Sequence, residues 1–155
     1  MTKSKNQKIS FVPSSESIKG YSDSKIAKGE RNDCVVRAIA SASDMEYDKA
    51  HKFVAKNFGR KPKKGTFFFT STMSGFEKNS KKINRKSVKR IPVEFLKSGK
   101  SQMTVGTFLQ EYNYGTYILA VTGHAFAVKD GVVLGGWSDA KRIRRIVEGA
   151  WKIGK

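Results

Sequence analysis

The chain has 155 residues, with 31 Lys and Arg against 13 Asp and Glu, a formal net charge of +18 and 38% hydrophobic residues. That length supports one core, not two, and no apolar run approaches the roughly 20 residues that span a bilayer. A single cysteine excludes an intramolecular disulfide and a multi-cysteine zinc site, and with two widely spaced histidines it makes a poor ligand set, so no metal or other cofactor is expected. The opening MTKSKNQKIS lacks a signal-type apolar core. A soluble protein of a reducing compartment, with no membrane partner, is the expectation. The excess of cations favours a polyanion or an acidic protein surface as partner.

Residues 1–28 are rich in Lys and Ser, with scattered apolar residues such as Ile9, Phe11 and Ile18. They read as a basic, extended arm outside the domain at 29–155. Asn32 or Asp33 is a good N-cap for a first helix carrying the apolar stripe Val35, Val36, Ala38, Ile39 and Ala42. Asp44 to Phe58 reads as a second helix with Tyr47, Ala50, Val54 and Phe58 inward, and Gly59 is its stop. Between Gly59 and Gly99 the sequence reads as irregular and basic, around the run Phe67-Phe68-Phe69, which is expected in the core or against a partner. Thr104 should cap a third helix through Phe108, Leu109 and Tyr112.

The hydrophobic period then changes to two. GTYILAVTG, HAFAVKDG, GVVLGGW and RIRRIVEGAWKI predict four strands of an antiparallel sheet, with Asp130-Gly131 as a two-residue hairpin turn. Helices first and strands last make an α+β protein, N-terminal helices packed on a C-terminal antiparallel sheet.

Two side chains in this layout can carry chemistry. Cys34 falls in the first turn of the first helix, where unpaired N–H groups and the helix dipole favour a thiolate. The same amides can hold an oxyanion, with Asn32 as a second donor. Read alone, a cysteine before Val-Val is as readily a small buried side chain. His124 opens a strand after Thr122-Gly123, and a histidine is the usual base for a cysteine nucleophile. His51, among Lys49, Ala50 and Lys52, reads as solvated helix surface.

NDCVVRAIA at 32–40, the Tyr-led helix with His51, GRKPKKGT, TVGTFL at 104–109, GTYILAVTGHAFAVKDGVV at 115–133 and Trp137 together resemble phage-encoded papain-like cysteine peptidases, related in layout to the bacteriocin-processing peptidases. The resemblance covers about residues 30–153. It implies a papain-like fold, Cys34 as nucleophile, His124 as general base, a peptide or protein substrate, and a location in the host cell or in a virion.

In such proteins an Asp or Asn on the strand after the histidine strand orients the imidazole, and similar sequences have an acid at about position 135. Pairing across Asp130-Gly131 sets Phe126 opposite Gly135 and His124 opposite Trp137. Where the family pattern has the acid, this chain has Gly135. Asp139 can replace it only if the chain bends after Trp137, which Gly135-Gly136 permit. Trp137 is expected to shield the pair.

The remaining signal is charge. Arg60, Lys61, Lys63 and Lys64 form one basic cluster, and Lys81, Lys82, Arg85, Lys86, Lys89 and Arg90 another. Arg142, Arg144 and Arg145 form a third, expected on a strand with Arg142 and Arg144 on one face. Together they predict sequence-independent binding of nucleic acid or an acidic protein. The sequence therefore supports two readings: a thiol hydrolase using Cys34 and His124, and a catalytically inactive basic binding or structural protein of a phage particle or nucleoprotein complex.

Overall fold

The computed structural model describes residues 10–66 and 69–155. The expectations made for residues 1–9 and for Phe67 and Phe68 lie outside the described residues. The described residues open with strand β1 (Phe11–Val12) and the short helices α1 (Ser14–Ser17) and α2 (Lys25–Gly29). Helices α3 (Cys34–Ser43), α4 (Tyr47–Phe58) and α5 (Phe69–Lys78) follow. Strand β2 (Val88–Arg90), the small hairpin β3 (Lys97–Ser98) and β4 (Ser101–Gln102), and helix α6 (Val105–Glu111) come next. Strands β5 (Thr116–Val121), β6 (His124–Lys129) and β7 (Val132–Leu134), helix α7 (Trp137–Ala140) and strand β8 (Gly149–Ile153) complete the fold.

Six strands form one sheet in the order β1-β7-β6-β5-β8-β2. All neighbours are antiparallel except β1, which runs parallel to β7, so the sheet is mixed rather than purely antiparallel. The architecture is α+β, with the sheet covered on both faces. Alternation along β5 sends Ile118 and Ala120 to a core shared with α3, α4 and α5, and Tyr117, Leu119 and Val121 to a second core with α6.

The α3 stripe forms as its spacing predicts: Val35, Val36, Ala38, Ile39 and Ala42 are all buried. Asp44, left-handed at φ 57°, ends the helix by donating its N–H to Ala40 O. On α4 the buried residues are Tyr47, Ala50, Val54 and Phe58, and Gly59 caps it at φ 66°. Thr104 caps α6 by accepting from Thr107 N.

Three expectations need correction. Residues 10–28 are not an arm. Phe11 and Val12 pair with Val133 and Leu134, Ile18 is buried, and Ser24 caps α2 while donating to Asp48 at 2.5 Å. Next, the stretch from 59 to 99 is not irregular throughout. Phe69, Met73 and Phe76 share one face of α5, with Phe69 stacked on Phe58 and set edge-on to Trp151. Finally, residues 141–145 are a series of turns, so Arg142 and Arg144 do not alternate across a strand.

Asp130 and Gly131, at φ 50° and 77°, make the two-residue turn that fixes the β6–β7 register, pairing Lys129 with Val132 and Val128 with Val133. A side chain at 131 meets a left-handed backbone and stands 3.3 Å from Leu109 O. Gly131→Val should therefore destabilise the fold by about 1–2 kcal/mol. The expected signature in a thermal melt is a Tm lower by about 3–6 °C with the far-UV spectrum retained.

Candidate active site

The site lies where the N-terminus of α3 meets the first residue of β6. Asp33 occupies the N-cap position of α3, yet its carboxylate makes no cap hydrogen bond. It accepts instead from Arg37 Nε at 3.1 Å and from the Tyr47 hydroxyl at 2.7 Å. Burial and the Asp33 hydrogen bond keep Tyr47 protonated far above the ordinary phenol range. Turned towards Arg37 and Tyr47, the Asp33 carboxylate does not cap the first-turn N–H groups.

Cys34, the first residue of α3, is partly buried against His124. Burial raises its pKa, but hydrogen bonds from His124 and the Ala125 N–H, with the charges of His124 and Arg37, bring it below the usual thiol value. His124 shifts the opposite way. Burial lowers its pKa, but hydrogen bonds to Asp139 and Cys34, and their charges, raise it above the usual imidazole value. The two shifts together favour a thiolate beside an imidazolium.

Nε2 of His124 hydrogen-bonds Asp139 Oδ1 directly, leaving Nδ1 as the nitrogen for the thiol. Asp139 reaches this place because β7 ends at Leu134. The expected pairings of Phe126 with Gly135 and His124 with Trp137 are not made; the last pair is Ala127 with Leu134. The chain turns at Gly135-Gly136 into α7, where Asp139 is buried. Its Oδ2 accepts from Gly136 N at 3.1 Å and lies 3.9 Å from Arg37. A Cβ at position 135 would overlap this carboxylate. The missing side chain at 135 is thus what admits Asp139. Trp137 does not shield the pair: it is 59% exposed on α7 and packs on Phe11 at 6.2 Å.

A cleft of about 730 Å³ opens over Cys34 and His124, walled by Asn32, Thr66, Phe69, Ala120, Ser138 and Arg142 among others. Asn32, left-handed at φ 55°, lines it and donates from Nδ2 to Lys63 O at 3.2 Å. That bond ties the 60–66 loop to the start of α3. Beneath it Glu30 pairs with Arg60, accepts from Lys63 N at 3.2 Å and lies 3.5 Å from His51, which is 3.3 Å from Arg60. His51 is therefore a partly buried member of an ion cluster, not solvated helix surface. Arg60, 5% exposed and paired with Glu30, is unavailable to an external anion.

The other predicted cations divide between surface and structure. Lys61, Lys63, Lys64, Lys81, Lys82, Arg85 and Lys89 are exposed. Lys86 pairs with Asp44 at 2.8 Å, and Arg90 lies 5.5 Å over the ring of Trp151. Arg144 and Arg145 are exposed, and Arg142 stands at the cleft rim, donating from Nε to Ser138 O at 3.1 Å. Sequence reasoning missed Arg37, which bridges Asp33 and Asp139. Its spacing of four from Asp33 on a helix was the available signal.

No protein-family model, no curated protein and no solved structure matches the chain.

Two outcomes follow from this geometry. Gly135→Ala should push the Asp139 carboxylate off Nε2, removing a cause that raises His124. The His124 titration, followed by NMR, should fall towards the ordinary value of about 6.5 while the fold persists. Glu30→Gln should break the pair that holds Arg60 and leave the guanidinium buried without its charge partner, costing about 3 kcal/mol. Chemical denaturation should show the loss, and limited proteolysis should show earlier cutting between residues 60 and 66.

Proposed function

We propose that this chain is a papain-like thiol hydrolase acting on a peptide or isopeptide bond, with Cys34, His124 and Asp139 as its catalytic group. The observation that carries the reading is the arrangement around one ring: a carboxylate on Nε2 of His124 and a thiol of lowered pKa against the same imidazole. A lone buried cysteine needs none of this. Further support comes from a helix that begins at the cysteine and packs on a sheet whose strand begins at the histidine.

In this reading the Cys34 thiolate attacks the carbonyl carbon of the scissile bond. The oxyanion is held by the free N–H groups of the first turn of α3, with the Asn32 amide beside them. His124, as imidazolium, gives its Nδ1 proton to the departing nitrogen, and the C–N bond breaks. A water then gives a proton back to His124, adds to the thioester carbon, and expels the Cys34 sulfur. Asp139 accepts from Nε2–H throughout, fixing ring orientation and favouring the charged ring. Asn32 serves as an oxyanion donor through its second amide hydrogen, the first being engaged by Lys63.

The second reading, a non-catalytic binder of polyanions in a particle or nucleoprotein complex, draws on a separate feature. Lys82, Arg85, Lys86 and Lys155 surround a hollow of about 460 Å³ beside Thr116, at the opposite end of β5 from the cleft. Binding there would weaken steeply with salt and would not respond to Cys34→Ala. Either role fits a host cell or a virion.

Alkylation of Cys34 by iodoacetamide between pH 4 and 10 tests the hydrolase. The lowered thiol pKa predicts fast alkylation below the ordinary thiol range near 8.5. In His124→Ala the lowering by His124 is lost while burial still opposes the thiolate, so the rise in rate should move to higher pH. Asp139→Asn should give an intermediate curve. A native profile that rises only near 8.5 and ignores His124 would defeat the proposal.

A further inference from the structure

Residues 141–145, which follow α7, are rich in cations. Lys141, Arg142, Arg144 and Arg145 surround a hollow of about 520 Å³, and among the described residues no acidic side chain lines it. Among the described residues none of the four forms a salt bridge. Cations on a mobile tail would be simple solvated charge, but this segment is fixed. Val105 N donates to Arg145 O and Gly106 N to Ile143 O, both at 2.8 Å. The backbone approaches α6 so closely that a Cβ on Gly106 would stand 2.7 Å from the Ile143 side chain. Arg142 is further held by its Nε bond to Ser138 O. Side-chain cations are thus gathered on a backbone already ordered for binding, which lowers the entropy lost on taking up an anion.

The position of this hollow gives it a use. Arg142 lines both the hollow and the cleft over Cys34. Glu148, whose Oε1 accepts from the Thr122 hydroxyl at 2.7 Å, also lines the cleft. A chain leaving the cleft past Arg142 meets the remaining cations of the hollow, Lys141, Arg144 and Arg145.

We propose that the 141–145 segment is a substrate subsite that selects polypeptides with acidic side chains on one side of the scissile bond. Guanidinium groups take carboxylates in paired, charge-assisted hydrogen bonds, and a carboxylate near Glu148 would be repelled. The inference rests on the thiol-hydrolase reading for its reaction but on the shared Arg142 for its specificity. A nucleic acid would also be attracted by the charge. A polypeptide is favoured because the hollow shares Arg142 with the cleft over the nucleophile, whereas the hollow beside Thr116 shares no residue with it.

The test uses peptide vinyl sulfones carrying three glutamates or three glutamines on one side of the warhead, in both orientations. Labelling of Cys34 is followed by intact mass and normalised to the iodoacetamide rate of the same protein. In one orientation the glutamate probe should label about tenfold faster than its glutamine counterpart. That preference should fall below about twofold in the triple variant R142Q/R144Q/R145Q. It should persist in K82Q/R85Q/K89Q, which removes the same charge elsewhere. Equal labelling by both probes in the native protein would overturn the proposal. So would equal loss in the two triple variants, which would reduce the effect to net charge. An oligothymidylate retained through 141–145 without discrimination between the probes would assign the segment to nucleic acid instead. An ordinary thiol profile with iodoacetamide would count against the hydrolase alone, because probe preference is still readable on slow labelling.

Discussion

The seating of α3 on β6 is the constraint from which the site follows. Alternation along β6 turns Ala125 and Ala127 towards α3, and Phe126 and Val128 towards α6. Small side chains on the α3 side let the helix lie close, with Val35, Val36, Ile39 and Ala42 filling the contact. Close seating brings the first residue of the helix to the first residue of the strand, and these are Cys34 and His124. Bulk at 125 or 127 would lift α3 and part the thiol from the imidazole without touching either. The core and the site are thus one packing problem.

Around that contact the charges alternate in sign. Asp33, Arg37, Asp139, His124 and Cys34 follow one another, each beside a neighbour of opposite charge when thiolate and imidazolium are formed. Several are substantially buried, and a buried charge is tolerated only with a partner. Arg37 is the centre of the series. By engaging Asp33 at 3.1 Å it withdraws the natural cap from α3, and by standing near Asp139 it supports the group that orients His124. One guanidinium thereby serves the helix N-terminus and the imidazole together.

What the sequence made legible, and what it hid, divides by range. Helices α3, α4 and α6 were readable because their apolar spacing and caps are local, and so was the Asp130-Gly131 turn. The helix α5 escaped because Thr70, Ser71, Thr72, Ser74 and Gly75 are weak helix formers, and packing of Phe69, Met73 and Phe76 had to override them. Residues 10–28 escaped because a two-residue strand and helices of four and five residues have no period to detect. Arg60 read as surface because its partner, Glu30, is thirty residues away. Cys34 and His124 were readable as chemistry-bearing residues at the starts of their elements, though only the fold brings them together.

Asp139 shows most clearly how a local break substitutes for a missing residue. Continuing the β6–β7 ladder in register leaves nothing but a glycine facing the imidazole region, and an incomplete site. The ladder instead stops at Leu134, and Gly136, at φ −83° and ψ −178°, starts a helix that returns Asp139 to His124. The same glycine that fails to supply a carboxylate at 135 leaves the volume the carboxylate at 139 occupies. A side chain at 135 and an acid at 139 therefore exclude one another sterically. An acid at 135 and a strand running on to 137 would form one solution to orienting the ring; a glycine at 135 and a helix at 137–140 form the other. The residues of this chain are consistent only with the second, which makes Gly135 as much a part of the site as the carboxylate it admits.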